Sequence, residues 1–122
     1  MNKNEKTLLI GASENPERYS NKAANRLMEK GYKVKLIGNK TGQIGTETIQ
    51  TGMPIFKNVN TVTLYLGPQN QPSYYDYIIN LKPKRVIFNP GTENEEFYKK
   101  LKEANITAEE ACTLVLLSLN SY

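Results

Sequence analysis

The sequence predicts an α/β protein: a single domain, residues 1–122, built on a doubly wound sheet of about five parallel strands. The chain has 122 residues, of which 39% are hydrophobic, and this suits one compact core. Short apolar runs also alternate with helical patterns along it. Strand–helix–strand order implies parallel pairing through right-handed crossovers. These features together are typical of a Rossmann-like fold.

The first strand–helix–strand unit is the clearest part of the pattern. Residues 6–10 read Lys-Thr-Leu-Leu-Ile and stop at Gly11, as expected of a strand that is buried on both faces and enters a turn. Residues 21–30 carry apolar residues at helical spacing, and Gly31 follows as a helix stop. Residues 34–37 are the predicted second strand.

The rest of the chain continues the alternation after one irregular segment. Residues 38–54 are rich in Gly, Thr, Asn and Gln, so we expect at most a short pair of strand segments near Ile44 and Thr51. Residues 112–119 are apolar and fit either a core strand or a buried helix, and we favour the helix. The remaining predicted elements are a third strand at 61–66, a helix at 72–81, a fourth strand at 85–88, a helix at 94–104 and a short fifth strand at 107–109.

Composition narrows the function classes. With no His and the single Cys112, the chain lacks the usual metal-ligand sets, so metal catalysis and internal disulfides are not expected. The net charge of +4 favours an anionic partner, but the cations are not interleaved with aromatics as in nucleic-acid binders, which we do not expect as partners. A lone cysteine in an apolar stretch is ordinarily an inert core residue, and a redox role is left open.

No membrane association is expected. No apolar run approaches the roughly 18 to 20 residues that a membrane helix needs, and the polar start is unlike a secretory signal. The expected location is therefore the cytoplasm. The oligomeric state, including a homo-oligomer, stays open.

The loops that follow the predicted strands form the candidate ligand site, since doubly wound sheets bind ligands beyond the carboxyl ends of their strands. In the first loop, Gly11 permits close backbone approach and Ser13 supplies a hydroxyl for a phosphate oxygen. Ser20 or Asn21 is placed to cap the helix that follows, and its positive end faces the same anion. Arg18 and Lys22 add positive charge nearby.

The end of the second strand argues against NAD. No G-x-G-x-x-G pattern is present, and the sequence Ile37-Gly-Asn-Lys40 has no acidic residue to bind a ribose hydroxyl. Lys40, with Asn39 beside it, suits a ribose that carries a phosphate, as in NADP or coenzyme A. A tight turn at Gly11 and solvated surface lysines would account for the same residues without a ligand.

The chain resembles the small CoA-binding proteins related to the N-terminal domain of the succinyl-CoA synthetase α subunit. The stretches that carry the resemblance are residues 7–22, 62–66, 83–94 and 110–114. The resemblance implies that the first loop cradles the pyrophosphate, that the end of the second strand holds the ribose phosphate and adenine, and that two later loops complete the groove. Carried over, these roles fall on Gly11, Ala12, Ser13, Ser20 and Lys22, then Ile37 and Lys40, then Leu66 and Pro68, then Asn89 and Gly91. Arg18 and Asn39 complete the candidate set.

The expected function is binding of coenzyme A or an acyl-CoA, without catalysis. In the synthetase the phosphorylated histidine lies in a second domain, and this chain has no His, so ligase chemistry is not carried over. No site is assigned to Tyr65, Tyr74, Tyr75 or Tyr77. Two alternatives stay open: an NADP-dependent oxidoreductase, and an interaction domain that has lost its ligand.

Overall fold

A computed structural model describes residues 5–122, and in that range seven strands alternate with four helices. The strands are β1 (Lys6–Ile10), β2 (Lys33–Ile37), β3 (Gly42–Ile44), β4 (Glu47–Gln50), β5 (Val59–Leu64), β6 (Arg85–Phe88) and β7 (Thr107–Glu110). The helices are α1 (Tyr19–Glu29), α2 (Tyr75–Leu81), α3 (Glu95–Glu103) and α4 (Thr113–Ser118). Two single-turn 3-10 helices, Pro68–Asn70 and Pro72–Tyr74, precede α2.

One sheet contains all of these strands in the order β3-β4-β2-β1-β5-β6-β7. Neighbouring strands are parallel except β3 and β4, which form an antiparallel hairpin at the edge. Ile10 pairs with Ile37 on one side and with Leu64 on the other, so three central strands end level with one another. Their carboxyl ends therefore open onto one common edge.

Hydrophobic side chains cover both faces of the sheet, which confirms the doubly wound α/β class. On β1, Leu8 and Ile10 point toward α2 and α3, whereas Leu9 points toward α1 and α4. This alternation is the period of two expected of a strand, and both sets are fully buried. The sheet is thus the middle of three layers.

The sheet is larger than the predicted set of about five strands because residues 38–54 contribute two. The predicted strand segments near Ile44 and Thr51 correspond to β3 and β4, although β4 ends at Gln50. Gly45 (φ +57°) lies in the turn between them, and Ile44 and Ile49 bury their side chains in the α1 layer. The two buried isoleucines and the pairing of β4 with β2 together hold an otherwise polar hairpin on the sheet edge.

Several boundaries differ from the prediction. Helix α1 begins at Tyr19, so neither Ser20 nor Asn21 is its cap; the capping position is Arg18, which makes no side-chain cap hydrogen bond. Strand β5 ends at Leu64 because its ladder with β1 stops at Ile10. The segment from Cys112 onward forms helix α4, as favoured. None of the helices in residues 5–122 is long and apolar enough to cross a membrane.

Candidate functional site

A cleft of about 840 Å³ opens at the carboxyl edge of the sheet, where β1, β2 and β5 end. The loops that follow these three strands form its walls. Nine of the thirteen candidate residues line it, which are Gly11, Ala12, Ser13, Arg18, Ser20, Ile37, Asn39, Lys40 and Leu66. The fold thus brings together most of a set that spans more than fifty positions in sequence.

The backbone after β1 is fastened to the end of β2. The amides of Gly11 and Ala12 both donate to the carbonyl oxygen of Ile37, each at 2.9 Å. These two amides are therefore already used by the protein, and the donors that remain for an anion lie further along the loop.

Glycine is required at position 11 because another part of the chain passes close to it. Gly11 has φ +105°, and a Cβ there would lie 2.8 Å from the carbonyl oxygen of Tyr65. The close approach that the sequence predicts at Gly11 is thus an approach of the Tyr65 backbone. Gly38 is under the same steric constraint, because a Cβ on it would lie 2.5 Å from the carbonyl oxygen of Ala12. Sequence reasoning did not single out Gly38.

Free hydrogen-bond donors line the cleft from Ser13 to the first turn of α1. Within residues 5–122, the amides of Ser13, Glu14, Tyr19 and Ser20 have no hydrogen-bond partner. Ser20 as a whole residue is 5% exposed, but its hydroxyl is accessible from the cleft and also makes no hydrogen bond within residues 5–122. Unsatisfied amides and the positive end of the helix dipole favour a negatively charged group at this point.

Short side-chain contacts hold this loop in shape. The Ser13 hydroxyl accepts a hydrogen bond from the amide of Asn15 (3.1 Å), and the Asn15 side chain accepts from the amide of Glu17 (3.0 Å). The side-chain amide of Asn21, which is buried, donates to the carbonyl oxygen of Ser13 (2.9 Å). Asn21 therefore joins α1 to the loop, a role that differs from the capping role predicted for it.

The cleft is lined by equal numbers of positively and negatively charged side chains. Arg18 and Lys40 line it together with Glu14 and Glu17, and all four are exposed. The Glu14 carboxylate accepts a hydrogen bond from the amide of Gln43 (2.9 Å), which ties the first loop to the β3–β4 hairpin. The net charge of the chain is thus not concentrated in the cleft, and hydrogen-bond donors are its main attraction for an anion.

An aromatic wall, not assigned from the sequence, closes the other side. Tyr65 and Tyr74 line the cleft beside Leu66. Burial, with the nearby Cys112 as a smaller cause, raises the pKa of Tyr65 well above its ordinary value, so its phenol stays neutral. The fully buried Gln71 donates from its side chain to the carbonyl oxygen of Leu66 (2.9 Å), which fixes this loop.

Four candidate residues lie outside the cleft lining. Pro68 begins the 3-10 turn that follows the Leu66 loop, and the Lys22 ammonium lies 5.7 Å from the centre of the Tyr19 ring. Asn89 is buried, donates to Thr63 and Leu64, and accepts from the amide of Thr113. The amide of Gly91 donates to the carboxylate of Glu93. Asn89 is therefore a buried core residue next to the cleft. Contacts between a ligand and any of these four residues stay predictions.

Fold and cleft together define a Rossmann-like α/β domain whose cleft has free hydrogen-bond donors at the start of its first helix. The sequence pattern of the family described as CoA binding domain matches residues 5–118, nearly the whole chain. The chain belongs to this family, which confirms the resemblance found in the sequence. A search among curated proteins returned no match.

Solved structures share the architecture over 95% or more of this chain. An uncharacterized protein of known crystal structure is 48% identical, with a TM-score of 0.93 over 97% of this chain and 98% of its own. A hypothetical protein from Pyrococcus horikoshii OT3 is 28% identical (TM-score 0.82, 95% and 84% covered). The protein cell-free ID.343 from Thermus thermophilus is 22% identical (TM-score 0.84, 100% of both chains), which shows the shared fold.

Proposed function

We propose that the chain binds coenzyme A or an acyl-CoA in this cleft and has no catalytic activity of its own. The observation that carries the proposal is the Ser20 hydroxyl, which is open to the cleft and has no hydrogen-bond partner in residues 5–122, beside the free amides of the first turn of α1. A diphosphate accepts hydrogen bonds and carries charge, so it satisfies these donors. Membership in the CoA binding domain family supports coenzyme A as the source of that diphosphate.

The proposed orientation places the two ends of the ligand on opposite sides of the diphosphate. Lys40, at the β2 side of the cleft, is the candidate for the phosphate on the ribose. Tyr65 and Leu66, at the β5 side, then face the thiol end. The phosphate loop is residues 11–20 in this assignment, and its binding amides begin at Ser13.

The proposed absence of catalysis rests on the ionisable groups in the cleft. The neutral phenol of Tyr65 is a poor base because its pKa lies far above neutrality. The Glu14 carboxylate already holds the Gln43 amide. The chain contributes binding and orientation, and a partner enzyme is the expected site of any acyl chemistry.

Calorimetric titration of protein freed of bound nucleotide tests this function with coenzyme A, dephospho-CoA and NADP. We expect saturable binding of coenzyme A, with dephospho-CoA weaker by about five- to ten-fold because it lacks the phosphate for Lys40. Lys40→Ala should remove this difference, whereas Lys99→Ala, an exposed lysine on α3, should keep it. Tighter binding of NADP would favour the oxidoreductase alternative. No binding at millimolar ligand would favour the interaction domain.

A further inference from the structure

Two of the five exposed large hydrophobic residues in residues 5–122 lie on the segment that joins β4 to β5. Ile55 is 88% exposed and Met53 is 45% exposed, and only Pro54 separates them. The side chains of Met53 and Ile55 are here called the apolar rim. Neighbouring exposed apolar side chains that form a contiguous patch commonly mark a binding surface.

The apolar rim is attached to the aromatic wall of the cleft. Tyr74 lines the cleft, and its ring packs edge-on against the ring of Tyr77 with 6.3 Å between centroids. The hydroxyl of Tyr77 donates to the carbonyl oxygen of Pro54. A ring contact between two tyrosines and one hydrogen bond to the Pro54 carbonyl therefore connect the cleft to the segment that carries Met53 and Ile55, which lie outside the cleft lining itself.

The segment is also anchored beyond Ile55, since Phe56 packs against the core on the α2 side of the sheet. Ile55 therefore lies between two fixed points, Pro54 and Phe56, and its exposure follows from the backbone path. Burial raises the pKa of Tyr77 to about 12, with Tyr74 as a smaller cause, so the phenol stays a hydrogen-bond donor at neutral pH.

We propose that the apolar rim is an acyl subsite, and that the ligand is an acyl-CoA with a saturated acyl chain. The inference rests on the proposed function: with the diphosphate at α1 and the ribose phosphate at Lys40, the thiol end lies on the β5 side, near Tyr74. An acyl group on that thiol continues past Tyr74 toward Met53 and Ile55. Burying several methylenes on a partly open surface favours the acyl ligand by about ten-fold over free coenzyme A.

Calorimetry with coenzyme A and hexanoyl-CoA tests the subsite, with a matched pair of double variants. Met53→Ser with Ile55→Ser removes the apolar rim. Val115→Ser with Leu119→Ser removes two similarly exposed apolar residues around α4, outside the cleft lining. We expect the natural chain and the α4 variant to prefer hexanoyl-CoA by about ten-fold, and the rim variant to bind coenzyme A normally with a preference below two-fold.

Three results would overturn the subsite. Equal affinity of the natural chain for both ligands contradicts the acyl subsite while leaving coenzyme A binding intact. A preference that survives in the rim variant places the acyl group elsewhere. Light scattering adds the third: if the natural chain is a dimer that only the rim substitutions dissociate, and hexanoyl-CoA gains nothing, the rim is an interface between copies. If neither coenzyme A nor hexanoyl-CoA binds, the result contradicts the proposed function as well as the acyl subsite.

Discussion

The side-chain amide of Asn21 lies 2.9 Å from the carbonyl oxygen of Ser13 and donates a hydrogen bond to it. Through this contact the first turns of α1 fix the position of the loop that carries the free amides. The same asparagine accepts a hydrogen bond from Asn25 through its side-chain oxygen (2.9 Å). Asn21 is buried, so the side chain that holds the loop in place is itself shielded from solvent.

Asn21→Ala should loosen the loop and weaken coenzyme A binding by about ten-fold, with a loss of about 1–3 kcal/mol in the free energy of unfolding. Asn25→Ala is the control, because it removes the contact to Asn21 and leaves the contact to Ser13. Calorimetry and denaturant unfolding measure both effects. Equal affinity losses in the two variants would contradict a special role for the Asn21–Ser13 bond.

Ser20→Ala separates ligand binding from stability. The hydroxyl has no hydrogen-bond partner in residues 5–122 and is open to the cleft, so its removal should leave the free energy of unfolding nearly unchanged. Coenzyme A affinity should fall by about ten-fold, since a hydrogen bond to a charged phosphate is lost. A variant that loses stability but keeps its affinity would show that the hydroxyl serves the fold instead.

Glu14→Gln should strengthen coenzyme A binding by about two- to three-fold. The glutamine oxygen can still accept from the amide of Gln43, but one negative charge near the ligand phosphates is removed. The gain should shrink at high salt, because these groups are exposed. Glu103→Gln is the control, since that carboxylate is exposed on α3 and lies outside the cleft lining. An equal gain in both variants would point to net charge alone.

Tyr122 should make the fold sensitive to alkaline pH. Burial is the main cause that raises its pKa from 10.0 to about 12, and its hydroxyl is hydrogen-bonded to Thr7. Below pH 10 the phenol is neutral in the folded and the unfolded chain. Between pH 10 and 12 the unfolded chain loses the proton first, so the free energy of unfolding falls, by up to about 2–3 kcal/mol from this residue. In Tyr122→Phe the free energy of unfolding, measured by denaturant unfolding at pH 8 to 11, should fall less steeply with rising pH than in the natural chain. An unchanged slope would contradict this.

The sequence predicted the alternation of strands and helices and the edge of the sheet that carries the cleft. Both depend on local patterns: apolar runs, helical spacing, and glycine after a strand. The start of α1 was missed because Arg18 makes no side-chain cap hydrogen bond, so the usual capping signal is absent at the true boundary. The β3–β4 hairpin was only partly expected, since two buried isoleucines in a polar segment give a weak pattern.

The site was predicted less completely than the fold for a physical reason. A polar residue after a strand can bind a ligand or hydrogen-bond within the core, and the sequence does not distinguish these roles. Ser20 lines the cleft without a hydrogen-bond partner in residues 5–122, whereas the buried Asn89 side chain is hydrogen-bonded to other parts of the protein. Tyr65 and Tyr74 reach the cleft from a loop and a 3-10 turn, where no periodicity indicates direction. Such placements follow from tertiary packing alone.

Diphosphate binding at the start of α1 is tested most directly by the change in backbone amide NMR shifts of the ¹⁵N-labelled protein on addition of coenzyme A. We predict that the largest changes fall on Ser13, Glu14, Tyr19 and Ser20, whose amides are free, and that Gly11 and Ala12, which donate to Ile37, change less. Saturable changes confined to other surfaces, with these four amides unmoved, would contradict diphosphate binding at the start of α1.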